Sequence, residues 1–211
     1  GLVLGQYEAN GELKSYREEP KVASDSLTET YVALNLTIDD PRFKGVPVFL
    51  RTGKRLDQRA TYITVIFKPT KGTLFNDLHP QREMLIIKIQ PDEGIYFRFN
   101  AKKPGIAQQV SPVIMNFCQS CIYENRINTP EAYERLLNDA FVQDKALFTS
   151  WEMVDLTWNF ASTLEKYRKD HDLPLNFYPS ESQGPKAADE MLEATGSSWI
   201  PADITEEAYS N

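Results

Sequence analysis

Two alternating runs joined by a turn decide the fold of this chain. Their sequence is Glu83-Met84-Leu85-Ile86-Ile87-Lys88-Ile89-Gln90-Pro91-Asp92-Glu93-Gly94-Ile95-Tyr96-Phe97-Arg98-Phe99-Asn100. In Glu83–Gln90 and in Ile95–Asn100, apolar side chains recur at every second position, which is the pattern of a strand with one buried face. The residues between the two runs, Pro91–Gly94, are turn formers. The segment therefore predicts an antiparallel β-hairpin.

Other stretches of the first 122 residues have the same character. The predicted strands are Leu27–Ile38, Gly45–Arg51, Thr61–Phe67 and Val113–Ile122. No helical pattern separates consecutive strands, and such a run of strands is typical of an antiparallel sheet. We therefore expect the α+β class, with one large, mainly antiparallel β-sheet.

The rear of the chain predicts three helices. Thr129 and Pro130 form an N-cap and a first-turn proline for a helix over Glu131–Phe141. Ser150 caps a second helix over Trp151–Lys169, and a third runs from Pro185 to a left-handed stop at Gly196. The second helix has an apolar stripe that we expect to lie on the sheet; its residues are Trp151, Val154, Trp158, Ala161 and Leu164.

These elements predict one domain. Residues 1–200 are expected to form a single α+β domain with the helices packed on one face of the sheet. The last residues, 201–211, are acidic, and we expect a frayed tail.

Composition excludes several classes of protein. The chain has 211 residues, of which 41% are apolar and 11% aromatic, as in a packed globular protein. Its longest apolar runs, such as Met84–Ile87, are too short to cross a bilayer, so we expect no membrane association. We also expect no targeting leader and a cytoplasmic location. Because the chain starts at Gly1 without a methionine, we expect that a preceding segment was removed.

Charge is unevenly distributed along the chain. The net charge is −7, yet residues 42–59 contain six basic side chains and one acid. An acidic body argues against nonspecific nucleic-acid binding, whereas a local basic cluster suits a small anion. A solvated surface loop with no ligand is the alternative that charge alone leaves open.

The chain lacks the residues of several common sites. Cys118 and Cys121 are two ligands short of a zinc site, so we expect no metal and two buried, unreactive thiols within a strand. The histidines, His79 and His171, are too scattered to form an acid–base pair. No glycine-rich phosphate loop is present, so we expect no dinucleotide site made by this chain alone.

The positive signal is the segment Arg51–Arg59. Gly53 allows a turn at the end of a strand, and Lys54 and Arg59 then flank one loop. Lysine supplies a compact positive charge and arginine a planar donor fork, and both suit phosphate or neighbouring hydroxyl oxygens. Gln90, at a strand end, is able to pair with a bound hydroxyl, although a single glutamine in such a place is usually only the polar edge of a strand.

Several motifs in order along the chain resemble one family, the C-terminal domain of glucose-6-phosphate dehydrogenase. The matching segments are Leu4-Gly5-Gln6-Tyr7, Val46-Pro47-Val48-Phe49-Leu50-Arg51-Thr52-Gly53-Lys54, Ile89-Gln90-Pro91-Asp92-Glu93, Lys102-Lys103-Pro104-Gly105, Pro130-Glu131-Ala132-Tyr133-Glu134-Arg135-Leu136-Leu137 and Tyr178…Gly184-Pro185…Ala188-Asp189. The resemblance extends from Leu4 to about Trp199.

The resemblance implies an oxidoreductase of glucose and carbohydrate metabolism. Such an enzyme oxidises glucose 6-phosphate to 6-phosphoglucono-δ-lactone and reduces NADP, in the pentose phosphate pathway. It implies a preceding Rossmann domain that binds NADP and carries the catalytic base, so no catalytic residue is expected in this chain. It also implies a homodimer or tetramer formed through the β-sheet.

By the same resemblance, Lys54, Arg59 and Gln90 are expected to bind the substrate. Some relatives bind a second, structural NADP, and the corresponding residues Arg51, Lys88 and Arg98 are a possible remnant of that site. Three further positions of it lack their basic residue; they are Ala60, Thr64 and Gln183. A sugar-phosphate-binding or assembly module that kept the fold and lost the chemistry is the alternative function.

Overall fold

The computed structural model describes residues 1–69, 81–91, 93–106, 109–118 and 132–201. Its strands form two four-stranded sheets, and three α-helices follow the second of these sheets along the chain. The expected α+β class with mostly antiparallel strands is confirmed. The strands are divided between two sheets, however, and the chain divides into two compact units: residues 1–58 with 132–199, and the described residues of 59–118 with 200 and 201.

The first unit contains a sheet with the strand order β3-β2-β1-β8. Its strands are β1 (Leu2–Glu8), β2 (Tyr31–Leu36), β3 (Val48–Gly53) and β8 (Leu175–Pro179). Strands β1, β2 and β3 pair antiparallel, whereas β8 pairs parallel to β1. Strands β1 and β8 were not predicted, and the predicted starts of β2 and β3 lie three to four residues too early.

The second unit contains a fully antiparallel sheet with the order β4-β5-β6-β7. Its strands are β4 (Thr61–Ile66), β5 (Met84–Gln90), β6 (Gly94–Lys102) and β7 (Val110–Cys118). The predicted hairpin is confirmed as the β5–β6 pair, in which Leu85 lies opposite Phe97. Asp92 of its turn lies outside the described residues.

The last residue of β7 corrects one expectation. Cys118 is half-buried and disulfide-bonded, so the expected buried thiol at this position is wrong. Cys121, which was expected to extend the same strand, lies outside the described residues.

The three predicted helices are present as α1 (Ala132–Phe141), α2 (Trp151–Asp170) and α3 (Lys186–Glu193). The Ser150 hydroxyl caps α2 by accepting the N–H of Met153, and Gly196 adopts the predicted left-handed conformation with φ of 70°. The cap residues Thr129 and Pro130 lie outside the described residues, as do 202–211 of the tail. One packing prediction for α2 is wrong, because Trp151 and Trp158 of its apolar stripe are 81% and 69% exposed.

Each unit has its own core. In the first unit, Tyr7, Tyr31, Tyr178, Ala33 and Ala188 are buried together, which places α3 against the sheet. In the second unit, Met84 and Ile86 of β5 are buried beneath partly covered neighbours; these are Tyr62, Tyr96, Ile114 and Ile200. Burial of an isoleucine side chain such as Ile86 stabilises a fold by about 2 kcal/mol.

Candidate functional site

Lys54 follows the last residue of β3, and both its backbone N–H and its backbone carbonyl are hydrogen-bonded. Its N–H donates to the carbonyl of Thr30 at 2.8 Å, and its carbonyl accepts the hydroxyl proton of Tyr178 at 2.7 Å. Gly53 is required before it, because a Cβ at that position would lie 2.7 Å from the ring of Tyr31. The start of the loop is therefore fixed by the buried tyrosines beneath it.

A cleft of about 370 Å³ opens beside this loop, lined in part by Tyr16, Thr28, Thr30, Thr52 and Lys54. It holds one carboxylate, that of Glu29, which is already paired with the guanidinium of Arg168. Among the residues that the structure describes, Lys54 has no ion-pair partner, and its side chain is exposed. Lys54 therefore adds to the lining of the cleft a positive charge that no described carboxylate neutralises.

The neighbouring cation, Arg55, is engaged by the protein itself. It donates to the Glu19 carboxylate at 2.7 Å, and its guanidinium lies 5.4 Å from the ring centre of Tyr7. The hydrogen bond to Glu19 raises the pKa of Arg55. Arg55 thus anchors the loop, whereas Lys54 is available for a ligand.

A second set of contacts ties the same loop to residues 180–184. Arg51 donates to the backbone and side-chain oxygens of Gln183, at 3.2 and 2.7 Å. The amide of Gln183 in turn donates to the carboxylate of Asp57, and the Asp57 N–H donates to the carbonyl of Ser182 at 3.0 Å. Trp199 covers the guanidinium of Arg51, whose central carbon lies 4.6 Å from the ring centre. Both ends of the Lys54 loop are consequently fixed.

The two tyrosines under the loop differ in their hydroxyl contacts. Their rings lie 5.5 Å apart, and Tyr31 and Tyr178 are 2% and 0% exposed. Within the described residues, no hydrogen bond of ordinary geometry reaches the Tyr31 hydroxyl. Burial raises the pKa of Tyr31 to about 12, although the nearby guanidinium of Arg51 lowers it. Burial also raises the pKa of Tyr178, against the hydrogen bond from Thr30. Both phenols are therefore neutral at physiological pH.

The other two predicted substrate residues lie in the second unit, at one end of its sheet. Gln90 is the last residue of β5 and lies opposite Thr61, the first residue of β4. Arg59 precedes Thr61 by two residues, and both Arg59 and Gln90 are exposed. The fold therefore brings Arg59 and Gln90 to the same end of the β4–β5 pair, while Lys54 belongs to the first unit.

Comparison with known proteins identifies the family. The model of the family "Glucose-6-phosphate dehydrogenase, C-terminal domain" matches residues 1–200. This chain belongs to that family. Among curated relatives, the glucose-6-phosphate 1-dehydrogenases of Chlamydia pneumoniae and Bacillus subtilis are 42% and 41% identical over 95% and 94% of the chain. The chain covers 41% of the length of each.

A solved structure agrees with this assignment. A glucose-6-phosphate dehydrogenase in complex with its substrate glucose 6-phosphate superposes with a TM-score of 0.82 at 31% identity. The match covers 95% of this chain and 41% of that one. The chain therefore corresponds to about two fifths of the relatives that it resembles.

The three residues predicted from the sequence as a possible remnant of a structural NADP site are Arg51, Lys88 and Arg98, and each has a contact within the described residues. In the first unit, Arg51 donates a hydrogen bond to Gln183 and lies over the ring of Trp199. In the second unit, the ammonium of Lys88 lies over the ring of Tyr96 at 4.7 Å, and Arg98 donates to the carbonyl of Arg82 at 3.3 Å. Each cation thus has a partner from its own unit of this domain.

Other kinds of site find no support in the described part of the domain. Its His, Cys, Asp and Glu residues form no group of three that could hold a metal ion. Across residues 132–201 and the other described ranges, no helix is long and apolar enough to cross a membrane. His171 lies at the end of α2, with its ring stacked on Tyr167 and hydrogen-bonded to the Tyr167 carbonyl at 3.0 Å.

Two residues of this site were missed by sequence reasoning, Thr30 and Tyr178. Tyr178 was present in one of the family motifs, but nothing in its local sequence indicates that it contacts a loop 124 residues away. Thr30 precedes β2 and carried no local signal.

Proposed function

We propose that this chain is the substrate-binding and oligomer-forming part of a glucose-6-phosphate 1-dehydrogenase. The complete protein would oxidise D-glucose 6-phosphate to 6-phospho-D-glucono-1,5-lactone with reduction of NADP. The observation that carries the proposal is the Lys54 ammonium, which has no ion-pair partner among the described residues and belongs to a fixed loop beside a cleft in a chain of this family.

The chemistry of a sugar phosphate explains the choice of residues. A phosphate dianion needs cationic donors, and charge-assisted hydrogen bonds are about twice as strong as neutral ones. Lys54 supplies such a charge. Arg59 and Gln90 are proposed to add a guanidinium fork and an amide for the remaining substrate oxygens.

The contribution of this chain is orientation. Oxidation at the sugar C1 moves a hydride to the nicotinamide and a proton from the hydroxyl to a base, and both transfers require close alignment. Near Lys54, the described residues of this domain include no side chain suited to act as the catalytic base. We propose that the base and the NADP site belong to a coenzyme-binding domain in the rest of the protein, and that the enzyme acts in the cytoplasm, in the oxidative pentose phosphate pathway.

The second sheet supplies a surface for self-association. One side of it, the apolar face, consists of two rows of apolar residues across the four strands; they are Ile63, Val65, Leu85, Ile87, Ile95, Phe97, Met115 and Phe117. Five of them are large exposed hydrophobics: Ile63, Val65, Ile95, Met115 and Phe117. Contiguous exposed apolar surface of this kind is typical of a protein interface. We propose that it pairs with a second copy in a dimer or tetramer.

The structural NADP site of some relatives is proposed to be absent. Arg51, Lys88 and Arg98 have partners within their own units, and no basic residue stands at positions 60, 64 or 183. NADP would then serve only as the hydride acceptor.

A kinetic comparison of two lysine variants in the complete enzyme tests the proposal. Lys54→Ala is expected to raise KM for glucose 6-phosphate by about tenfold to a hundredfold, since a hydrogen bond to a charged group contributes about 1.5–3 kcal/mol. The KM for NADP should not change. Lys44→Ala is the matched control, because Lys44 is an exposed lysine of the same basic stretch. Equal KM values for the two variants would refute the substrate role of Lys54.

A further inference from the structure

The buried hydroxyl of Tyr178 connects the substrate loop to the interior of the first sheet. Tyr178 lies on β8, at the edge of the sheet opposite to β3. Its ring is completely buried, yet its hydroxyl reaches the Lys54 carbonyl at the end of β3. The contact therefore joins the loop that follows one edge strand, β3, to the other edge strand, β8.

The hydrogen bonds around this hydroxyl have a definite direction. The N–H of Tyr7 donates to the side-chain oxygen of Thr30 at 3.0 Å. Since that oxygen accepts from Tyr7, its own proton is available for the Tyr178 oxygen, which lies 3.1 Å away. The phenolic proton of Tyr178 is then donated to the Lys54 carbonyl, its shortest contact at 2.7 Å. Hydrogen bonds that are linked in series, as these three are, polarise and strengthen one another.

Thr30 also holds Lys54 in place through its own backbone. Its carbonyl accepts the Lys54 N–H at 2.8 Å, and its own N–H donates to the Gly5 carbonyl at 2.7 Å. The backbone of Lys54 is thus held by one residue before β2 and by another on β8. Few conformations of the loop satisfy both contacts, and the starting point of the Lys54 side chain is fixed.

We propose that Tyr178, supported by Thr30, is a positioning residue for Lys54, an inference that rests on the proposed substrate role of Lys54. Tyr178 touches no substrate in this account. Its hydrogen bond fixes the orientation of the peptide plane at Lys54. That orientation determines where the Lys54 ammonium lies when it contacts the phosphate or sugar oxygens. A small displacement of such a group weakens binding even when the charge is retained.

The first part of the test compares two tyrosines in the complete enzyme. Tyr178→Phe removes the donor to Lys54 and keeps the ring, and it is expected to raise KM for glucose 6-phosphate about threefold to tenfold with kcat changed less than about twofold. Tyr62→Phe is the matched control, because it also removes a tyrosine hydroxyl that donates to a carbonyl, that of Ile200 at 2.8 Å, but it belongs to the second unit. Its KM should equal that of the unmodified enzyme.

The second part separates positioning from a general structural effect. In a Lys54→Ala background, Tyr178→Phe should cause no further rise in KM, because the group that it positions is gone. A rise by the same factor in both backgrounds would overturn the proposal. So would an unchanged KM for Tyr178→Phe when Lys54→Ala has its expected effect, in which case the substrate role of Lys54 would stand. If Lys54→Ala itself leaves KM unchanged, the proposed function and this inference both fail.

A variant at the middle of the chain of hydrogen bonds gives independent evidence should Tyr178→Phe fail to fold. Thr30→Val retains the shape of the side chain and removes its hydroxyl, whereas Thr30→Ser retains the hydroxyl. We expect a raised KM for Thr30→Val and near-native KM for Thr30→Ser. Equal KM values for these two variants would overturn the proposal.

Discussion

The two sheets of this domain differ in what they bury and in what they leave exposed. The first buries three tyrosines, and two of them donate to loop residues: Tyr7 to Glu19 and Tyr178 to Lys54. The second buries apolar side chains of β5 on one side and exposes rows of apolar residues on the other. Buried polar groups with fixed partners specify one loop conformation. An exposed apolar face carries no such fixed contacts and is typical of a surface for association. The sheet with the polar interior thus suits ligand binding, and the other suits assembly.

The polar interior of the first sheet leaves little tolerance for added volume. Gly184 has φ of 111°, and a Cβ there would lie 2.5 Å from the ring of Tyr31. A Cβ at Gly53 would also lie close to that ring, at 2.7 Å. The tyrosine is therefore packed against two backbone segments at which an added side-chain atom would collide with it.

The largest effect expected from the comparison is on stability. Gly184→Ala should lower the free energy of unfolding by about 3 kcal/mol, since a positive φ and overpacking each cost about 1–3 kcal/mol. Gly196→Ala is the matched control. Gly196 also has positive φ, but its Cβ would meet nothing within 4 Å, so the loss should be about 1 kcal/mol. The measurement is urea unfolding of the complete protein, and similar losses for the two variants would show that the Tyr31 packing is not tight.

A smaller effect is expected on the association of the second sheet. Met115 and Asn116 are adjacent exposed residues of β7 whose side chains lie on opposite faces of the sheet. Met115→Lys puts a charge into the apolar face and should weaken dimer formation by roughly tenfold or more, as desolvation of an unpaired charge is costly. Asn116→Lys should leave the dimer unchanged. Sedimentation equilibrium of the complete protein measures both, and an unaltered dimer in Met115→Lys would exclude the apolar face as the interface.

Local sequence patterns carried information about strands but not about their pairing. The strands of the second unit were all predicted, because apolar alternation such as that in Ile95–Asn100 is a local property. Strand β1 contains Gly5 and the buried Gln6, whose amide donates to the carbonyls of Ser26 and Thr28 at 3.1 and 2.8 Å. A buried polar residue interrupts the pattern, so β1 was missed.

The parallel pairing of β8 with β1 and the division of the strands between two sheets could not be predicted, for a related reason. Strand β8 pairs with β1 from the far end of the chain, with Leu4 opposite Leu175. No local period indicates which distant segment becomes a neighbour. The same limitation explains why the strands were assigned to one broad sheet.

The site was predictable to a similar extent. Lys54 was selected because of the basic loop and the turn at Gly53, both local features. What holds Lys54 in place was not predictable, since Thr30 and Tyr178 reach it from other parts of the sequence. The exposure of Trp151 and Trp158 was likewise not predictable, because an apolar stripe on a helix does not indicate which surface it packs against.

The most direct test of the central claim is a crystal structure of the complete enzyme with glucose 6-phosphate bound. We predict a substrate oxygen within hydrogen-bond distance of the Lys54 ammonium, about 2.7–3.2 Å, with the Tyr178 hydroxyl still donating to the Lys54 carbonyl. Contacts from Arg59 and Gln90 to the same molecule are expected as well. Substrate bound with the Lys54 ammonium turned away from it into solvent would contradict the account.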